Sequence, residues 1–278
     1  MAKIFDFFKR RHANKPTGRT FEDIVLDIRP HSIPALMLRK SEGSPKSYLG
    51  GNPYLPSSVE WPEKDGNKLT FLASLDLEEI AETGAIPWLP TSGKLLFFYD
   101  VENQPWGFDP ADRGGWSVIY VDEISSGGDP QGPILPHQLF VDLEKVQSLP
   151  GWERLGEFGI ELDDADADTY IDGSLEWCGN GEEHHIGGYP TPVQGDQMEL
   201  ECQFAANGIY CGDGTAYQSE EAKRLEPGAK DWRLLLQLCS DDDLDVMWGD
   251  VGDLYFWVKE QDSLKGDFSN VWLVLQCS

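Results

Sequence analysis

The chain has 278 residues, with 22 Lys and Arg against 49 Asp and Glu, a formal net charge of −27 at pH 7. That balance excludes nucleic acid and anionic membranes as natural partners, because phosphate surfaces demand clustered Lys and Arg. A hydrophobic content of 40% with ten Trp marks a globular chain, and 29 Gly with 18 Pro favour many turns and short elements.

The opening "MAKIFDFFKRRHANK" is locally basic. Its apolar run is too short for a secretory signal and is broken by Asp6, so it reads as a short amphipathic terminal helix with Ile4, Phe5 and Phe8 on one face. No run approaches the roughly 18 apolar residues of a membrane span. "TFEDIVLDIRP" predicts a helix that Thr20 caps and Pro30 ends, and "IPALMLRK" (33–40) predicts a strand.

A self-similar pattern follows. "LGGNPYLP" (49–56) returns as "IGGYPTPV" (186–193), "LTFLASLDLEEI" (69–80) as "WRLLLQLCSDDDL" (232–244), and "SGKLLFFYD" (92–100) as "VGDLYFWVK" (251–259). The three pairs keep their order at offsets of 137, about 163 and 159 residues. Ordered recurrence of this kind points to an internal duplication. "WSVIYVD" (116–122) and "VWLVLQCS" (271–278) predict further strands, and "SEEAKRLEPG" (219–228) predicts a helix capped by Ser219.

The turn-rich "SSGGDPQGPILP" (125–136) separates the halves. The expected fold is α+β and sheet-dominated, with mostly antiparallel strands in two pseudo-repeated lobes within one unit. Residues 1–44 form a leader with a helix and a first strand, residues 45–136 the first lobe, and residues 137–278 the second.

Together, "GGNPYLPSSVEWP", "LTFLASLDL", "LPTSGKLLFFYD" and, later, "HHIGGYPTPVQGD", "LLLQLCSDDD" and "MWGDVGDLYFWV" make residues 45–278 resemble the YwqG family. The resemblance implies an α+β bacterial protein of unknown function with no settled catalytic residues. It also implies a kinship with immunity proteins, which neutralise toxins encoded beside them.

"EEHHIGGYP" (182–190) is the stretch that most looks reactive. His184 and His185 are adjacent, so on a strand they face opposite sides and cannot easily share one ion. His185 aligns with Tyr48 ahead of the recurring Gly-Gly-x-Pro turn, which favours a ring packed beside the turn over a catalytic imidazole. "DDADADTYIDG" (163–173) mimics the opening of a calcium loop. It fails at position six, Thr169, and at position twelve, Leu175, so a solvated acidic loop is expected.

No nucleophile elbow, phosphate loop or dinucleotide fingerprint occurs, and five Cys without a Cys-x-x-Cys pair read as thiols in a reducing cytoplasm. Neither catalytic nor metal-binding residues are assigned, and no cofactor is expected.

Between Arg154 and Lys223 no Lys or Arg occurs, while sixteen Asp and Glu do. That acidic stretch predicts a non-catalytic, cytoplasmic protein that binds a basic protein partner, as an immunity or antitoxin-like neutraliser would. His185, Tyr189, Trp248 and Asp250 are the candidate binding residues. The competing expectation is a metal-dependent or small-molecule enzyme with its site between the lobes, near His184, His185 and Asp250.

Overall fold

A computed structural model describes residues 18–56, 58–122, 131–177 and 183–278. The terminal helix expected around Ile4, Phe5 and Phe8, residues 125–130 of the 125–136 stretch, Cys178 and Glu182 lie outside the described residues.

The first half runs through α1 (Phe21–Ile28), β1 (Ile33–Lys40), β2 (Tyr48–Gly50), a small hairpin of β3 (Glu63–Lys64) and β4 (Asn67–Lys68), β5 (Thr70–Asp76), α2 (Leu77–Thr83), β6 (Lys94–Tyr99) and β7 (Trp116–Val121). The second half runs through β8 (Gln138–Ser148), α3 (Asp164–Trp177), β9 (His185–Gly187), α4 (Met198–Ala205), α5 (Glu220–Leu225), β10 (Trp232–Cys239), β11 (Asp253–Lys259), α6 (Glu260–Ser263) and β12 (Trp272–Gln276).

Local chemistry sets the boundaries. The Thr20 hydroxyl accepts from the Asp23 amide to start α1. Asp76 ends β5 and caps α2, its carboxylate accepting from the Glu79 amide, and Gly84 closes that helix in the left-handed conformation. All seven residues of β5 are buried, which is why its sequence reads as one apolar run rather than an alternation.

Ten strands form one sheet in the order β12-β11-β10-β9-β1-β8-β2-β5-β6-β7, every neighbouring pair antiparallel. Read outward from the central β1–β8 pair, β9 to β12 lie on one side and β2, β5, β6 and β7 on the other. Both wings slip register at matching places. β5 skips between Phe71 and Ala73 against β6, and β10 skips between Leu234 and Leu236 against β11.

The ends of the sheet approach each other. Trp116 of β7 meets Trp272 of β12 edge to face at 4.9 Å, and its indole N–H donates to the Val271 carbonyl. The enclosed core holds Trp248, Trp257 and Trp272, each no more than 2% exposed. Among the described residues, no helix is long and apolar enough to cross a membrane.

Both Gly-Gly turns require glycine. Gly50 and Gly51 have φ of +64° and +68°, and Gly187 and Gly188 have +66° and +73°. A Cβ at Gly50 would stand 2.0 Å from the His137 carbonyl oxygen.

The structure corrects one expectation. Residues 164–177 are helical rather than a solvated loop, because the Asp163 carboxylate accepts from the amides of Ala165 and Asp166 while Tyr170 is buried beside Ile24 and Leu155. Asp166 is itself buried and accepts from the Arg19 amide. The central strand β8 joins the sheet without a sequence signal, because "QLFVDLEKVQS" lacks an apolar run.

Gly50→Ala is expected to lose about 2–4 kcal/mol of stability by chemical denaturation, since left-handed strain and a backbone clash coincide there. Gly66→Ala, at φ +84° but with nothing within 4 Å of the new Cβ, is expected to lose only about 1 kcal/mol.

Candidate functional site

The histidines of "EEHHIGGYP" lie in the central region of the sheet, beside β1. His184 is 6% exposed and His185 4%. The His184 Nδ1 accepts from the Cys239 amide at 3.0 Å, which places its proton on Nε2, 3.0 Å from the Asp241 carboxylate. That hydrogen bond holds the Asp241 carboxyl below its usual range.

In the first half Ser47 occupies the corresponding place, its hydroxyl accepting from the Asp76 amide at 3.0 Å. His185 repeats the pattern. Its Nε2 lies 3.2 Å from the carbonyl of Tyr189, four residues on, just as the Tyr48 hydroxyl donates at 2.7 Å to the carbonyl of Asn52. Burial lowers the His185 pKa, and its Nδ1 lies 3.2 Å from the Glu183 carbonyl. Both imidazoles therefore perform backbone tasks that a serine and a tyrosine perform in the other wing.

The four candidate binding residues do not converge on one site. His185 and Tyr189 line a pocket of about 250 Å³ over β1, β8 and β9, together with Ala35, Met37, Arg39 and Val146. The Tyr189 hydroxyl donates to the His31 carbonyl, and its ring lies 5.7 Å from the Arg154 guanidinium. Trp248 belongs elsewhere. It is 1% exposed, packs edge to face on Tyr99 at 5.8 Å and donates to the Cys239 carbonyl, so it is core. Asp250 is exposed in the following turn, its carbonyl accepting from the Ser278 amide.

Trp248 also lines a larger cleft, of about 630 Å³. Four separate segments wall it: residues 66–70, the turn 100–104, the stretch 133–136 and the loop 245–248. Asp100, Glu102 and Asp245 bring three carboxylates to it, against a single Lys68 whose ammonium donates to the Gln131 carbonyl. Gln104 joins two of these segments, its side chain accepting from the Gly249 amide at 2.7 Å and donating to the Met247 carbonyl at 3.3 Å.

Gln104 (φ +43°) and Asp245 (φ +56°) both hold left-handed backbone, and so does Val251 (φ +53°) nearby in sequence. Non-glycine residues keep such conformations only where their surroundings enforce them. The sequence carries no signal for this cleft, because its acids come from distant turns.

Among the described residues, no group of three or more His, Cys, Asp or Glu is placed to hold a metal ion. Near the histidines, the carboxyl of Asp253, 5% exposed, is pushed up to about 6 by burial. Gln237 Nε2 donates to it at 2.8 Å and the Tyr255 hydroxyl lies at 3.3 Å.

His185→Tyr is expected to keep stability within about 1 kcal/mol of the parent, and His185→Ala to lose about 1–3 kcal/mol by chemical denaturation, because only the alanine leaves the Tyr189 carbonyl without a donor. Stability should also depend on pH through Asp253. Because its folded carboxyl binds a proton more tightly than the unfolded one, its contribution is complete below about pH 4 and is lost as pH rises through about 6. Denaturant midpoints should fall by roughly 3 kcal/mol equivalent across that window, and Asp253→Asn should flatten this part of the profile.

No curated protein matches the chain. Residues 47–277 match the model of a domain of unknown function (DUF1963), and the chain belongs to that family.

Proposed function

We propose that this protein is a non-catalytic binding protein whose acidic cleft receives Lys or Arg side chains of a basic protein partner, in the manner of an immunity or antitoxin-like neutraliser. The observation that carries this reading is the cleft beside Trp248, where Asp100, Glu102 and Asp245 outnumber Lys68. Carboxylates gathered in a concave site focus the field of a chain of net charge −27 and steer a cationic partner toward it. Pro133, Leu135, Pro136 and the exposed Met247 supply apolar surface for the aliphatic stems of those side chains.

Arg154, the last cation before the long acidic stretch, is turned inward. It is 9% exposed and pairs with Asp196 at 2.5 Å and with Glu199 at 2.7 Å, two acids of that stretch.

The scaffold that presents the cleft is, in our reading, an internal duplication of the YwqG type. Support comes from the mirrored strand order, from register slips separated by the same 163 residues as the sequence echo, and from the paired roles of Ser47 with His184 and Tyr48 with His185. A cytoplasmic setting fits Cys202, Cys211, Cys239 and Cys277, which are all buried.

A fluorescent hexalysine peptide provides the test. It should bind at about 0.01 M ionic strength and be released at about 0.15 M, as the Debye length falls from about 30 to about 8 Å. The double variant Glu102→Gln/Asp245→Asn should bind about tenfold more weakly. Glu157→Gln/Glu161→Gln, which removes two exposed acids elsewhere, should bind like the parent. Equal losses in the two double variants would mean that net charge, not the cleft, attracts the peptide.

A further inference from the structure

The smaller pocket, over β1, β8 and β9, shares no lining residue with the acidic cleft and has no part in that reading. Its position follows from strand alternation. The registers Met37↔His185, Ala35↔Val146 and Ile33↔Ser148 place Ala35, Met37, Arg39, Val146, Ser148 and His185 on one side of the sheet. Leu36, Leu38 and Ile186 point to the other side and enter the main core. Ala35, Met37 and Val146 make an apolar floor, and Arg39, Ser148, His185, Tyr189 and Thr191 complete the lining. At about 250 Å³ the pocket lies below the range of about 300–1,000 Å³ that drug-sized ligands occupy, so it suits a smaller molecule.

The polar groups of this lining have donors to spare. Arg39 donates through Nε to Glu144 at 2.7 Å and through Nη1 to Glu183, while its Nη2 makes no hydrogen bond among the described residues. The Ser148 hydroxyl oxygen accepts from the Tyr189 amide at 2.9 Å, and its own proton has no acceptor among the described residues. Thr191 engages its amide with Gln237 and its carbonyl with Tyr255, but not its hydroxyl. Ring acceptors are already taken: both nitrogens of His185 face backbone carbonyls at 3.2 Å. Neither Glu144 nor Glu183 lines the pocket, yet between them they offset the Arg39 charge. A carboxylate entering beside Arg39 would meet two fixed anions, and an ammonium would find no lining carboxylate. An uncharged acceptor meets neither obstacle, and a guanidinium is among the stronger donors it can find.

We propose that this pocket binds a small uncharged carbonyl compound, an amide or a ketone, its apolar body against Ala35, Met37 and Val146 and its carbonyl oxygen accepting from Arg39.

Four probes of similar shape decide it: benzamide, toluene, benzoate and benzylamine, each titrated into the full chain and followed at the Met37 and Ala35 methyl signals by NMR. Benzamide should shift both methyls and bind about tenfold more tightly than toluene, the worth of one hydrogen bond from a charged donor. Benzoate and benzylamine should both bind more weakly than benzamide. Arg39→Leu should bring benzamide down to the affinity of toluene, and the probe series on the parent decides the matter alone if that variant does not fold. Val146→Trp should abolish benzamide binding by filling the floor. Equal affinity for benzamide and toluene, tighter binding of benzoate or benzylamine, benzamide binding retained by Val146→Trp, or unshifted Met37 and Ala35 methyls would overturn the proposal.

Discussion

The antiparallel ladder between β1 and β8 is the interaction on which the rest of the structure depends. It runs over eight Cα pairs, from Ile33↔Ser148 to Lys40↔Val141, and joins the first strand of one half to the first strand of the other. Each of these strands then pairs outward with the opposite half, β1 with β9 and β8 with β2. Residues 45–136 and 137–278 therefore complete a single sheet, and the Gly-Gly turns at its centre must leave room for the strand beside them. Gly50 approaches the His137 carbonyl and Gly188 approaches Ala35 and Ser148, which explains why both turns demand glycine.

That frame reassigns the histidines. A ring nitrogen or hydroxyl is needed ahead of each turn to satisfy a backbone group, and the two wings meet the need with different side chains. The same substitution logic continues outward along the sheet. Asp76 faces Lys94 across β5 and β6, with an ion pair at 3.4 Å, whereas Cys239 faces Asp253 across β10 and β11. The second wing has no compensating cation at that place, so Asp253 is a carboxyl raised by burial rather than half of a salt bridge.

Much of the sheet is legible in the amino-acid sequence, and for a physical reason. β5, β6, β10, β11 and β12 are buried along nearly their whole length, so each reads as an apolar run. β8 pairs on both sides yet keeps Glu144 and Lys145 exposed, and its sequence carries no such run. The acidic helix Asp164–Trp177 reads as a loop in sequence because its alternating Asp residues imitate a calcium motif. His185 and Tyr189 are identifiable as neighbours of a turn, but Arg39, Glu183 and the carboxylates around Trp248 meet only through tertiary pairing. Residues 66–70, 100–104, 133–136 and 245–248 carry no shared pattern that could announce a common wall.

The central claim is that recognition resides in the acidic cleft while the histidines are architecture. Amide chemical-shift mapping of the full chain on addition of hexalysine tests it most directly. The predicted result is a set of perturbations concentrated at residues 66–70, 100–104, 133–136 and 245–248, with His184 and His185 unmoved. Shifts spread evenly over the acidic surface, or centred on His184 and His185, would contradict it.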